Sequence, residues 1–134
     1  MSSPEPAQPP HVLLLADDYP DSLDMYREAL ELKGYQVITA NDGVEAVDRA
    51  RECRPAIVLL DIRMPRMTGV EAMQALKQDP LFSNVPIVAL TAHALQRERE
   101  KFLAAGFDAV LTKPCLPDDL LATIETWLKA KPLT

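Results

Sequence analysis

The chain has 134 residues, 48% apolar and 25% charged, with a net charge of −6, which suits one globular domain with its own core. This acidic balance excludes wholesale binding to a nucleic-acid backbone, which needs clustered Lys and Arg, and no apolar run approaches the roughly 20 residues of a membrane span. Two cysteines, Cys53 and Cys115, and two histidines lack metal-type spacing and offer no zinc set. With no secretory signal pattern in view, a reducing cytoplasm is the expected setting.

Residues 1–10, MSSPEPAQPP, hold four prolines and read as an extended or disordered tail. His11 to Ala16 is the first continuous apolar run, and it ends in Asp17-Asp18. Runs without polar alternation belong to strands buried on both faces of a parallel sheet. A helix is expected from Asp21 or Ser22 to about Lys33, with Leu23, Tyr26 and Leu30 on one face. Gly34 stops it at the left-handed position. Tyr35 to Thr39 is a short strand. Asn41-Asp42-Gly43 opens a helix to about Cys53, with Ala46, Val47 and Ala50 inward and Cys53 as a small core residue.

Pro55 ends that helix, and Ile57-Val58-Leu59-Leu60 then runs straight into Asp61, at the carboxyl end of the central strand. Met64-Pro65 and Thr68-Gly69 mark the following turn. The next helix spans about Gly69 to Gln78, with Val70, Met73 and Leu76 at helical spacing, and Asp79-Pro80 closes it. Pro86 to Leu90 is the fourth strand, ending at Thr91. A helix from about Leu95 to Ala105 carries the mixed-charge run Gln96 to Lys101 as a solvated face, and Gly106 closes it. Asp108 to Leu111 is the fifth strand, followed by Thr112-Lys113-Pro114. Pro117 suits a first helical position, with Asp118 and Asp119 at the positive end of the helix dipole. Leu120, Leu121, Ile124, Trp127 and Leu128 form the inner face of this last helix, and Leu116 at its cap offers no side-chain acceptor.

The alternation is (βα)5 with short connections. Right-handed crossovers make it an α/β fold with a five-stranded parallel sheet and helices on both faces, in the flavodoxin-like order 2-1-3-4-5. The functional crevice of that order lies between strands 1 and 3, where Asp17, Asp18 and Asp61 meet. Each of these groups alone reads as a turn former, cap or surface residue. As a set they do not, because Asp17-Asp18, Asp61, Thr91 and Lys113 all sit at carboxyl ends of strands. Three carboxylates within a few ångströms repel unless a cation joins them. Mg²⁺ answers this with oxygen ligands and retained waters, while Lys113 offers a point charge and Thr91 a hydroxyl. The set makes a phosphoryl-transfer pocket with a carboxylate nucleophile.

The motifs Leu15-Ala16-Asp17-Asp18, Leu60-Asp61-Ile62-Arg63-Met64-Pro65-Arg66-Met67-Thr68-Gly69, Leu90-Thr91-Ala92 and Thr112-Lys113-Pro114 together resemble the receiver domain of two-component response regulators. The likeness covers about residues 11–130, which makes 131–134 a C-terminal tail. The resemblance implies that Asp61 accepts a phosphoryl group from a histidine kinase or phosphotransfer protein. It further implies that Asp18, Asp61 and the Arg63 backbone carbonyl hold Mg²⁺, with Asp17 orienting a bound water. Thr91 and Lys113 are implied to contact the phosphoryl oxygens, Thr91 moving inward when the site is loaded, and the Lys113-Pro114 peptide is often cis in the family.

One position departs from the family pattern. Three residues before the lysine the family usually has Tyr or Phe, an aromatic that swings inward on activation, and here it is Val110. A β-branched side chain stiff at χ1 cannot sweep as a ring does. The response is therefore expected in the loop Thr91 to Leu95, which includes His93, and in the start of the following helix. The alternative, that another residue does the aromatic's work and the usual face at strand 5 responds, stays open. Two rivals are weaker. Phosphatases that use an aspartyl-phosphate commonly carry a second Asp two residues beyond the nucleophile, and here that residue is Arg63. A receiver that binds partners without phosphorylation would be expected to lose some of the five key residues, and all five are present. The chain is therefore read as a signalling phosphoacceptor that promotes its own phosphorylation and dephosphorylation. The (βα)5 unit is expected to take up these residues to about Ala130, with no room for an output domain among them. This holds whether the chain is a free-standing regulator or a piece excised from a larger hybrid kinase.

Overall fold

A computed structural model describes residues 11–92 and 95–130, so the expected tails at 1–10 and 131–134, and His93, lie outside the described residues. Five strands, β1 (Val12–Ala16), β2 (Gln36–Ala40), β3 (Ile57–Asp61), β4 (Ile87–Thr91) and β5 (Ala109–Thr112), form one sheet. All pairs are parallel and the order is β2-β1-β3-β4-β5. Five helices connect and cover them: α1 (Pro20–Leu32), α2 (Gly43–Cys53), α3 (Gly69–Lys77), α4 (Gln96–Ala105) and α5 (Pro117–Ala130). The expected flavodoxin-like architecture is the one observed.

The unbroken apolar runs follow from the strand period of two, which sends alternate side chains to opposite faces. Leu13, Leu15, Ile57, Leu59, Val88 and Leu90 pack on one face with Leu23, Tyr26 and Leu30 of α1 and Leu120 and Ile124 of α5. Leu14, Ala16, Val58, Leu60, Ile87 and Ala89 pack on the other with Ala46, Val47 and Ala50 of α2 and Ala72, Met73 and Leu76 of α3. With helices on both sides, every residue of β3 and β4 is buried.

The boundaries shift in instructive ways. β2 and β5 each begin one residue later than the sequence suggests. Tyr35 is still held by the end of α1, its N–H donating to the Leu30 carbonyl. Asp108 accepts from the Ile87 N–H at 2.7 Å and from Lys77 Nζ at 3.0 Å, so it buttresses β4 before β5 begins. α1 begins at Pro20, ahead of the expected Asp21 or Ser22, because the fixed φ of proline suits the first helical turn. In α3 the buried stripe is Gly69, Ala72, Met73 and Leu76, while Val70 is only half-buried. Cys53 is half-buried as well and stands outside both core clusters. A 3-10 turn at Pro80–Phe82 was not foreseen, and it drives the Phe82 ring into the core. α4 is the thinnest element. None of its residues is buried, and its main anchor is Phe102 meeting Phe107 edge-on, ring centroids 6.2 Å apart.

Candidate functional site

Register assembles the site. Ala16 pairs with Leu60, which brings Asp17 beside Asp61 at the ends of adjacent strands. Asp61 pairs with Leu90, and Thr91 with Thr112, so the ends of β3, β4 and β5 step across one edge of the sheet. All five residues singled out in the sequence converge here. Lys113 Nζ bridges two of the carboxylates, 2.8 Å from Asp17 Oδ2 and 3.2 Å from Asp61 Oδ2. Carboxylate oxygens of Asp17, Asp18 and Asp61 lie within 4.8 Å of one another. The Lys113-Pro114 peptide is cis, as the resemblance implied.

The two adjacent aspartates are not equivalent. Asp17 is fully buried, and its Oδ1 accepts from the Tyr19 N–H at 2.9 Å, which steadies the entry to α1. Asp18, the next residue on the turn, is exposed. It lines a cleft of about 450 Å³ together with Asp61, Ile62, Arg63, Thr91, Ala92 and Lys113. Thr91 is 2% exposed at the end of β4. Asp17 thus forms a buried floor, and the other groups face the cleft.

Burial is the main force on Asp61. It raises the carboxyl to about 6, against the attraction of Lys113 and with the help of the Asp17 charge. For Lys113, burial favours the neutral amine, but the bond to Asp17 and the charges of Asp61 and Asp17 outweigh it. Its pKa therefore lies above the ordinary lysine value, and the ammonium is secure. A concave pocket that holds a buried carboxylate with a raised pKa, a locked ammonium and a further carboxylate at the rim is suited to a hard cation and a phosphoryl oxyanion.

The loop from Ile62 to Thr68 is pinned at several points. Gly69 approaches so closely that a Cβ there would lie 2.2 Å from the Asp61 carbonyl oxygen, and the Gly69 N–H donates to the Ile62 carbonyl at 3.0 Å. Thr68 and Glu71 form a reciprocal capping box at the start of α3. Arg66, with its backbone in the left-handed region at φ 67°, reaches Asp42 at 3.1 Å. Asp42 in turn caps α2 by accepting from the Glu45 N–H at 2.8 Å. The loop also lies against Gly43, where a Cβ would sit 2.1 Å from the Met67 carbonyl oxygen. These contacts fix the backbone that presents Arg63 beside Asp61, whose Oδ1 accepts from the Arg63 N–H at 3.3 Å. The sequence marked Asp42, Gly43 and Gly69 as helix openers and turn residues, and it carried no signal that Arg66 would join Asp42.

Comparison with known proteins agrees with this geometry. The sequence matches the response regulator receiver domain family over residues 13–125. It is 32% identical over 119 residues to the polar-differentiation response regulator DivK of Brucella anthropi, covering 89% of this chain and 97% of that protein. The structure resembles a chemotaxis response regulator of Vibrio cholerae, with a TM-score of 0.84 at 31% identity over 88% of this chain and 98% of the other. It also resembles the receiver domain of a sensor histidine kinase of Pseudomonas aeruginosa, with a TM-score of 0.83 at 33% identity over 90% and 99% of the two chains. That domain was solved with a magnesium ion coordinated in its active-site cleft. Among the described residues of the present chain, no helix is long and apolar enough to cross a membrane.

Proposed function

The chain belongs to the response regulator receiver domains, and within that family we propose that residues 11–130 act as a phosphoacceptor unit. Asp61 takes a phosphoryl group, with Mg²⁺, from a histidine kinase or histidine phosphotransfer protein. The observation that carries this reading is Lys113 Nζ held between Asp17 and Asp61 at the mouth of the cleft that Asp18 rims.

In the transfer, a carboxylate oxygen of Asp61 attacks the phosphorus of a phosphohistidine. The new P–O bond forms as the P–N bond breaks, and the donor imidazole leaves with the electron pair and takes up a proton. Lys113 balances charge on the phosphoryl oxygens, with Asp17 gripping the ammonium from below. Thr91 donates its hydroxyl to a phosphoryl oxygen. The donor set fits a hard divalent cation, since three carboxylate oxygens converge within 4.8 Å. Asp18, Asp61 and the Arg63 carbonyl would hold it, with Asp17 orienting a bound water. When bound, Mg²⁺ neutralises the carboxylates and the phosphoryl oxygens.

The same groups serve hydrolysis of the acyl phosphate, so the chain promotes its own phosphorylation and dephosphorylation and acts as a signalling phosphoacceptor. A phosphatase that works on outside substrates is disfavoured by Arg63, which stands where such enzymes keep a general acid. The test uses acetyl phosphate and Mg²⁺ followed by intact-mass analysis. Wild type should gain one acid- and base-labile phosphoryl group and Asp61→Asn none. Equal labelling of the variant would overturn the assignment of Asp61.

A further inference from the structure

Tyr26 places a phenol where packing alone asks only for a hydrocarbon ring. It is 2% exposed, on the inner face of α1 in the cluster that includes Leu13, Leu30 and Leu120. Its hydroxyl donates to the Cys115 carbonyl at 2.9 Å, across 89 residues of sequence, and Cys115 Sγ lies 3.5 Å from the same oxygen. Burial, and next the Cys115 thiol, push the phenol up to about 12, so the hydroxyl keeps its proton and remains a donor.

Cys115 lies two residues past Lys113. The Lys113 N–H donates to the Thr91 carbonyl at 2.7 Å, and Pro114 has no N–H to contribute. The segment 113–115 is therefore tied to β4 at one end and to α1 at the other. Lys113 departs from between these ties to reach Asp17 and Asp61. Lysine has a long, entropically costly side chain. Its ammonium stays at the pocket only if its backbone is fixed, and small misplacements of a charged group at a reacting centre are costly.

We infer that Tyr26 is a positioning residue for the phosphoacceptor site: its hydroxyl holds the Cys115 carbonyl and so fixes the backbone from which Lys113 reaches the phosphoryl group. This inference rests on the role proposed above for Lys113. It assigns the hydroxyl a task apart from the ring, which serves the core.

The test measures Mg²⁺ affinity, and beryllofluoride affinity in saturating Mg²⁺, for wild type, Tyr26→Phe, Lys113→Ala and the double variant. Tyr26→Phe keeps the ring and should bind Mg²⁺ within twofold of wild type, because Asp17, Asp18 and Asp61 are untouched. Its beryllofluoride affinity should fall about three- to tenfold, the range spanned by one lost hydrogen bond. In the Lys113→Ala background the same change should have no further effect, since the latch acts only through the lysine. An equal fall in both backgrounds would make Tyr26 merely structural and overturn the inference. Unchanged affinity in Tyr26→Phe, alongside a clear loss in Lys113→Ala, would overturn the latch alone. Lys113→Ala binding like wild type would overturn the role of Lys113 itself, and the latch with it.

Discussion

Replacing Asp61 with Asn should stabilise the metal-free protein, and the gain should depend on pH. The substitution keeps the shape of the side chain and removes a charge from a nearly enclosed site. It also leaves Lys113 paired with Asp17 at 2.8 Å, so no ammonium is orphaned. In the folded protein burial raises the Asp61 carboxyl from 3.8 to about 6. The folded state therefore binds this proton more tightly than the unfolded chain does. Stability is lost as pH rises through the window from about 4 to about 6, and the full penalty persists above it. About two decades in proton affinity set a ceiling of about 3 kcal/mol, which screening by water in the open cleft lowers. In urea at pH 8 with EDTA, Asp61→Asn should unfold about 1 to 1.5 M later than wild type, for a slope of about 2 kcal/mol/M. The gap should shrink toward zero near pH 4. A variant no more stable than wild type at pH 8, or a gap indifferent to pH, would refute the reasoning. The first result would mean that the Lys113 contact offsets the cost of burying the Asp61 charge, and the second that ionisation of Asp61 does not set the difference.

Two further outcomes are expected. Mg²⁺ alone should stabilise wild type by mass action, and calorimetry should show Asp18→Ala weakening it on the order of a hundredfold and Asp17→Ala roughly tenfold, because Asp18 faces the cleft and Asp17 grips Lys113 beneath it. If both variants bind like wild type, these carboxylates do not hold the metal. Amide NMR with beryllofluoride and Mg²⁺ should show the largest shifts at Thr91, Ala92 and Leu95 and along the lightly packed α4, because Val110 is buried in β5 and has no ring to swing. Changes centred on Val110 and Leu111, with Thr91 to Leu95 quiet, would contradict this.

Much of the fold was legible because its signals are local. Each strand is a short apolar run bounded on at least one side by Pro, Gly or Asp, and the helices carry their own stop signals, such as Gly34 (φ +94°) and Gly106 (φ +130°). The (βα)5 alternation, joined to the handedness of crossovers, leaves little freedom in strand order. The site was legible for the same reason. In a parallel sheet all carboxyl ends lie at one edge, so Asp17, Asp18, Asp61, Thr91 and Lys113 had to meet there. Periodicity was a weaker guide to depth. Val70 and Cys53 sit at plausible inward positions, yet both ended half-buried, because helix rotation is set by what each helix packs against.

Composition, strand runs and turn residues thus determined the architecture and the membership of the site. The division of labour inside it was decided only in three dimensions. Asp17 and Asp18 are chemically identical neighbours. One became a buried partner of a lysine 96 residues away and the other an exposed rim, because adjacent backbone positions at a strand end face different surroundings. The raised pKa of Asp61 is likewise a property of the helices that cover its strand. The Tyr26 hydroxyl had nothing in its local sequence to set it apart from a core ring. It acquired a partner only when α1 and the segment after β5 were packed on the same face of the sheet. Contacts between distant segments depend on register and helix rotation, and those quantities exist only once the whole core has closed.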